Sequence, residues 1–283
     1  MSGIVYINGD YLPASEAKIS VFDRGFLFAD AVYEVIPVYK SRPFFVARHL
    51  KRLNTSLANV KIPYPQLDWN AIFNELIQQN GAGDMQLYVQ ITRGNQGVRK
   101  HDIPDKLKPT VIIYTLHNPY ASFEIKKLGL HANIVEDLRW LRCDIKTTSL
   151  IANILLNDEA VSKGAHTAIL SRKGILTEGS ASNIFLIDQE GTVYTPPLNN
   201  MCLPGITRQI TIELIHELSW SLKEEKIPTS ALFEAREVWI TSTTKEIYPV
   251  TRIDDSLIAD GKAGIFWEKI SSKYQQLIDN NHD

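Results

Sequence analysis

Between residues 167 and 195 the chain passes through four short apolar stretches, 167–171, 175–176, 183–188 and 193–195, with turn-forming residues between them. Runs this short cannot carry the apolar stripe of a helix, and each leaves backbone groups that only a neighbouring strand can satisfy. The segment therefore predicts a meander, and a sheet must organise this part of the fold. Strand-like runs recur at 4–7 and 11–12 around the turn Asn8-Gly9-Asp10, and at 31–39, where Pro37 points to an edge or a bulge. Others lie at 85–92, 110–116, 130–135, 138–145 and 238–241, with a hairpin near Asp254-Asp255. Between them stand helical stripes: 47–60 on Leu50, Leu53, Leu57 and Val60, 69–77 ending at Asn80-Gly81, and 149–163. A further helix starts at Pro204-Gly205 with Ile206, Ile210, Leu214 and Leu218 on one side, followed by a short one at 230–235 and a terminal one from Gly264. The pattern is α+β.

Length sets the domain count. At about 150 residues per domain, 283 residues predict two, and the polar, turn-prone stretch 118–122 is the expected linker between 1–117 and 123–283. With 44% apolar and 22% charged residues, a chain of this size buries a large core, which excludes a disordered or collagenous chain. Thirty Lys and Arg against thirty-two Asp and Glu leave no basic excess to hold nucleic acid. No basic, apolar leader opens the sequence and no run of about 18 apolar residues occurs, so neither a secretory signal nor a membrane span is expected. Cys143 and Cys202 form no CxxC pair; a disulfide between them is open, but reduced thiols in a cytoplasmic protein are the expectation. The histidines are scattered without HxH or HExxH spacing, so no metal is expected. What remains is an enzyme or binding protein for small molecules.

Six places could carry chemistry. Lys146 ends an apolar stretch and precedes Thr147-Thr148-Ser149, residues suited to capping a helix. A helix N-terminus and desolvation both favour its neutral, nucleophilic amine, although most lysines simply face water. In Thr177-Glu178-Gly179-Ser180, Glu178 lies between two strand-like runs. Either the segment is an ordinary hairpin turn, or Glu178 is a buried carboxylate that requires a cation, such as a protonated pyridine nitrogen. Leu203-Pro204-Gly205-Ile206-Thr207-Arg208 is an ordinary helix start or an anion site made of outward-pointing amides. The hydroxyl run 241–244 either turns the chain or supplies phosphate ligands, and Arg52, beside the stripe of its helix, suits a phosphate. Finally, the basic loop 93–101 is solvated surface, or its cations clamp a small carboxylate.

In order along the chain, FDRGFLFADAVYEV, HLKRL, ITRGNQGVRKHDIP, VEDLRWLRCDIKTTSL, LTEGSASNIF, GITR and TSTTKEIYPV resemble the fold-type IV pyridoxal 5'-phosphate (PLP) enzymes, most closely the bacterial D-amino-acid aminotransferases. The resemblance runs nearly end to end. It implies a two-domain α+β fold, with a smaller N-terminal α/β domain and a larger C-terminal pseudo-barrel domain that binds PLP. It also implies a homodimer acting on a D-alanine-like D-amino acid and a 2-oxo acid such as 2-oxoglutarate, in ping-pong fashion. By the same resemblance Lys146 is the Schiff-base lysine and Glu178 the carboxylate on the pyridine nitrogen. Arg52, Ile206, Thr207 and Thr243 match the phosphate site, Leu203 a residue behind the ring, and Tyr33, Arg99 and His101 the trap for the substrate carboxylate. Ala29 and Ala31 stand where relatives commonly carry glycine, which leaves substrate range open. A branched-chain L-amino-acid aminotransferase or an aminodeoxychorismate lyase of this fold would reuse Lys146, Glu178 and Arg52 but differ at Arg99 and His101. A non-catalytic PLP or anion carrier would need no trap.

Overall fold

The computed structural model describes residues 3–280, and they fall into two units. One runs to Pro119 and takes in Ile145–Ser149; the other holds Tyr120–Asp144 and Leu150–Asn280.

The first unit contains β1 (Ile4–Ile7), β2 (Asp10–Pro13), α1 (Arg24–Phe28), β3 (Ala31–Tyr39), β4 (Arg42–Pro43), α2 (Val46–Asn59), α3 (Trp69–Gln79), β5 (Met85–Thr92) and β6 (Thr110–Leu116). Its six strands pair antiparallel in the order β2-β1-β6-β5-β3-β4. Leu53 and Leu57 of α2 and Phe73, Leu76 and Ile77 of α3 bury their stripes with Ile36, Val38, Leu87, Val89 and Ile113 of the sheet. Alternation explains the division of labour along a strand: one set of side chains enters this core and the other is left for the opposite face. Pro37 fits because β3 has only the two-residue β4 on its outer side, paired at Val38 and Tyr39. Asp68 caps α3 by accepting from the Ala71 amide, and the helix ends at Asn80 as the Asn-Gly pair predicts. Gly94, at φ 110°, is obligatory: a Cβ there would meet the Lys108 carbonyl oxygen at 2.1 Å. Ala29 closes α1 at φ 53°, ψ 29°, a left-handed conformation that costs a non-glycine residue about 1–2 kcal/mol.

The second unit holds α4 (Phe123–Lys127), β7 (Leu130–Glu136), α5 (Ile151–Ser162), β8 (Thr167–Arg172), β9 (Ile175–Gly179), β10 (Asn183–Ile187), β11 (Val193–Thr195), α6 (Ile206–Glu217), β12 (Leu222–Glu224), β13 (Glu237–Ser242), β14 (Glu246–Ile253), β15 (Ser256–Leu257) and α7 (Ile265–Asp279). The sheet order is β12-β11-β10-β13-β14-β7-β8-β9, with β15 on β14. β7 pairs parallel with both β8 and β14, whereas the meander strands pair antiparallel. Four strands separate β10 from β9 in that order, yet the Gly179 amide donates to the Ser182 carbonyl at 2.7 Å. The sheet therefore curls back on itself toward a barrel. Its interior is the cluster of Leu130, Ile169, Ile184, Ile240, Val250 and Ile253.

Three expectations need correction. No strand forms over 138–145. Leu138, Trp140 and Leu141 are exposed while Asp137 and Arg139 are buried, because the charged pair finds partners inside and the apolar residues do not. Thr147, Thr148 and Ser149 do not cap the following helix, which starts at Ile151 with Leu150 as its cap and no side-chain cap bond. The Thr147 and Thr148 hydroxyls donate instead to the Ala31 and Ala29 carbonyls, at 3.0 and 3.1 Å. The stretch 230–235 is only a single 3-10 turn, Thr229–Leu232. The eight-residue β14 escaped the sequence because Pro249 stands in its middle; pairing with β7 begins at Val250, just past the proline, with a register shift there.

Candidate active site

In the first unit, Ile145–Ser149 lies along the start of β3. The Tyr33 amide donates to the Lys146 carbonyl at 2.9 Å, the Thr148 amide to the Ala31 carbonyl at 3.1 Å, and Val32 bridges Thr147. The Lys146 amide donates to the Ser56 hydroxyl of α2. Main-chain bonds thus fix the segment and leave the Lys146 side chain, half-buried, to do something else. Its Nζ sits 4.2 Å from the centroid of the Tyr33 ring, which stacks in turn on Tyr88. Such a stack holds an amine by cation–π attraction.

Glu34, the residue after Tyr33, points the other way and is fully buried. Its carboxylate accepts from Arg52 Nε at 2.7 Å and Nη2 at 2.8 Å, and meets His49 Nδ1 at 2.8 Å. Burial pushes this carboxyl upward, but Arg52 outweighs it and holds the group well below the usual carboxylate range. Burial drives the His49 imidazole down despite Glu34 beside it. Arg52 thus leans inward, as its place beside the apolar stripe predicts, and its guanidinium is oriented by a carboxylate that periodicity alone did not single out. Arg99 and His101 are both exposed and both gather on Phe28, the Arg99 guanidinium 5.1 Å and the His101 ring 5.2 Å from its centroid.

In the second unit, Glu178 lies near the end of β9 and is 5% exposed. Arg139 Nη1 donates to its Oε1 at 2.5 Å, the Leu203 amide to its Oε2 at 2.9 Å, and Asn183 Nδ2 to the same oxygen at 3.3 Å. Arg139 is itself gripped by Asp137, at 2.9 and 3.0 Å, and Asp137 accepts from the Thr177 hydroxyl at 2.9 Å. The cation that a buried Glu178 requires is therefore present within the protein. Burial raises the Glu178 carboxyl to about 6, and Arg139 only partly offsets it. Glu178 remains ionised at neutral pH but is poised for a stronger partner.

Leu203 belongs to this carboxylate through its backbone: its amide serves Glu178 and its carbonyl accepts from Asn183 Nδ2 at 2.9 Å. Gly205 follows as the N-cap of α6 and brings no side-chain cap, so the first-turn amides of Ile206 and Thr207 are left to an anion. A Cβ at Gly205 would lie 2.0 Å from Asn183 Oδ1, so only glycine permits this approach. Thr243 sits in the turn between β13 and β14. Thr241, on β13 opposite Asn183, carries a buried hydroxyl with no hydrogen-bond partner. Among the described residues no group of His, Cys, Asp or Glu could hold a metal ion, and no helix is long and apolar enough to cross a membrane.

The sequence-predicted residues thus fall in two sets. Tyr33, Arg52, Arg99, His101 and Lys146 belong to the first unit; Glu178, Leu203, Ile206, Thr207 and Thr243 belong to the second. Sequence reasoning missed Glu34 and Arg139, charged residues inside runs read as strands, and Asp137, which falls between two such runs.

A family model described as amino-transferase class IV matches residues 31–253. The chain is 35% identical to a D-alanine aminotransferase of Staphylococcus epidermidis over 98% of both chains. It is 36% identical to a D-alanine aminotransferase of Bacillus licheniformis, over 97% of this chain and 96% of the relative. Among solved structures, the branched-chain amino acid aminotransferase of Escherichia coli matches with a TM-score of 0.91, covering 98% of this chain and 95% of that one. Sequence identity there is 24%, so this likeness is one of fold.

Proposed function

The chain belongs to the class IV aminotransferases, and we propose that it moves the amino group of a D-alanine-like D-amino acid to a 2-oxo acid such as 2-oxoglutarate. It is a PLP-dependent transaminase. The observation that carries the substrate class is the pair Arg99 and His101, drawn together on Phe28 in a chain that follows D-alanine aminotransferases over nearly its whole length.

The residues fit PLP in their donor chemistry. A buried carboxyl raised to about 6 suits a pyridine nitrogen, and the uncapped start of α6 suits a phosphate. The orphaned Thr241 hydroxyl beside that region is one more donor awaiting an acceptor. When bound, PLP supplies the electron sink that lets a carbon–hydrogen bond beside an amine break. Lys146 Nζ would hold it covalently and, once displaced by the incoming amine, take the proton from the donor Cα. Glu178 would face the ring nitrogen and keep it protonated, with Leu203 behind the ring. Arg52, the Ile206 and Thr207 amides and the Thr243 hydroxyl would hold the phosphate. Tyr33, Arg99 and His101 would hold the substrate carboxylate, and their position relative to Lys146 would select the D-enantiomer. Because amino donor and 2-oxo acceptor use one site in turn, the kinetics would be ping-pong.

Arg99→Ala tests the trap. A lost charge-assisted bond to a carboxylate costs about 1.5–3 kcal/mol, so KM for both substrates should rise between about tenfold and 150-fold while cofactor affinity holds. Equal loss of substrate and cofactor binding would remove Arg99 from that role. A coupled assay of D-alanine against L-leucine, each with 2-oxoglutarate, decides the branch; preference for L-leucine would overturn the D-amino-acid reading.

A homodimer in the cytoplasm completes the proposal. Leu138, Trp140 and Leu141 and the α5 residues Ile151, Ile154 and Leu155 are all exposed in the second unit, large apolar side chains that a second copy would cover. Cys143 and Cys202 are both free and buried, in keeping with a reducing compartment.

A further inference from the structure

Arg24 is charged, 4% exposed and placed on the five-residue α1, where nothing in the proposed chemistry calls for it. Its guanidinium reaches across to the loop after β5. Nη1 donates to the carbonyls of Lys100 at 2.7 Å and Asp102 at 3.2 Å and to Gln96 Oε1 at 2.6 Å; Nη2 donates to the carbonyl of His101 at 3.2 Å. Three consecutive carbonyls are thus collected by one planar fork, a geometry that lysine cannot reproduce. The fork is itself oriented: Nε donates to Asp30 Oδ2 at 2.7 Å. Arg93 grips the same carboxylate at 2.7 and 2.8 Å and donates onward to the Val60 and Lys61 carbonyls. The Arg24 guanidinium also lies 5.0 Å from the Phe28 centroid, on the ring that Arg99 and His101 share.

We infer that Arg24 is the positioning residue of the substrate-carboxylate site, holding the backbone of 100–102 so that the Arg99 and His101 side chains are presented in fixed register. The inference rests on the reading of Arg99 and His101 as the trap. Its physical basis is that residues 97–103 form no helix or strand and are exposed at every position. Unclamped, such a loop loses the preorganisation on which a carboxylate contact depends. Arg24 touches neither substrate nor cofactor in this scheme and acts through the loop alone.

The test compares Arg24→Lys and Arg24→Met with Arg99→Ala in the holoenzyme. Both Arg24 variants should raise KM for D-alanine and for 2-oxoglutarate by a similar factor, on the order of tenfold or more, with kcat changed less than about threefold and PLP retained. Trypsin should cut after Arg99 or Lys100 faster in the variants than in the wild type, a readout independent of turnover. Unchanged KM and unchanged cleavage would overturn the inference, and so would a fall in kcat with KM preserved. If Arg99→Ala raises KM while the Arg24 variants do not, this inference alone fails; if Arg99→Ala leaves KM untouched, the trap itself fails. Should both Arg24 variants prove insoluble, Gln96→Ala removes one partner of the fork and leaves Asp30 in place. It should then raise both KM values together and hasten cleavage, and no change in either would count against the inference.

Discussion

Lys146→Ala protein should purify colourless, without the absorbance of a cofactor bound as an imine, and its transamination rate should fall by about a thousandfold or more. The size follows from the proposed double use of the side chain, as the covalent anchor and as the group that takes the Cα proton. The fold should survive, because the segment is held by main-chain groups: the Lys146 carbonyl to the Tyr33 amide and the Lys146 amide to the Ser56 hydroxyl. The side chain's contact with the Tyr33 ring is a cation–π pair worth about 0.5–1 kcal/mol at a half-exposed site. Circular dichroism and thermal unfolding close to wild type, alongside lost colour and lost turnover, are therefore the expected combination. A fully active Lys146→Ala enzyme would end the assignment.

Glu178→Gln should keep the cofactor bound and lower kcat by about a hundredfold to a thousandfold, the range for removing one preorganised electrostatic partner. The isosteric amide keeps one acceptor oxygen, which can serve either Arg139 or the Leu203 amide and Asn183 but not both, so the variant also carries a fixed, pH-independent cost in stability. A second effect separates this variant from a merely damaged one. In the apoprotein the Glu178 carboxyl is raised to about 6 by burial, above its ordinary value of 4.5. The folded state then binds the proton more tightly than the unfolded one, so ionisation of Glu178 opposes folding. Its penalty is absent below about pH 4.5, grows as pH rises to about 6 and is constant beyond, reaching about 2 kcal/mol at most. The stability of Glu178→Gln relative to wild type should accordingly improve between pH 4.5 and pH 7, measured by denaturant unfolding of both apoproteins. Unchanged rates would contradict the role at the ring nitrogen, and a pH-independent stability difference would contradict the poised carboxyl.

Much of this site was legible in the sequence because its chemistry is written in short local blocks. The Lys146, Glu178 and Gly205 segments each carry their residue types within a few positions, with Glu178 near the end of β9 and Gly205 at the start of α6. What escaped was long-range. Over 138–145 the apolar letters suggest a strand, yet Arg139 turns inward because Glu178, thirty-nine residues on, and Asp137 together satisfy its charge. Glu34 falls at an unremarkable place in an alternating run, and only the packing of α2 against β3 brings Arg52 and His49 to it. Arg24 has the same history: nothing near it in sequence announces that four of its hydrogen bonds go to residues more than seventy positions away. Residues 147–149 do not cap the helix for a related reason, since hydroxyls suited to capping can serve another strand equally well.

The Glu34 carboxylate, sealed in the first unit with Arg52 and His49, bears on how inherited defects in this protein would present. Removing Arg52 strips a buried carboxylate of its counter-charge, a loss that commonly costs 3–5 kcal/mol and rivals the whole stability of a domain. A loss-of-function allele at Arg52 would thus surface as scarce protein in the cell, cleared by proteases, and supplementing the growth medium with vitamin B6 would do little for it. An allele at a second-unit residue proposed for the cofactor, such as Thr207, would leave protein abundant and respond to the vitamin. Two lesions among the residues proposed for the phosphate would separate by dose of nutrient and by the amount of protein on a gel.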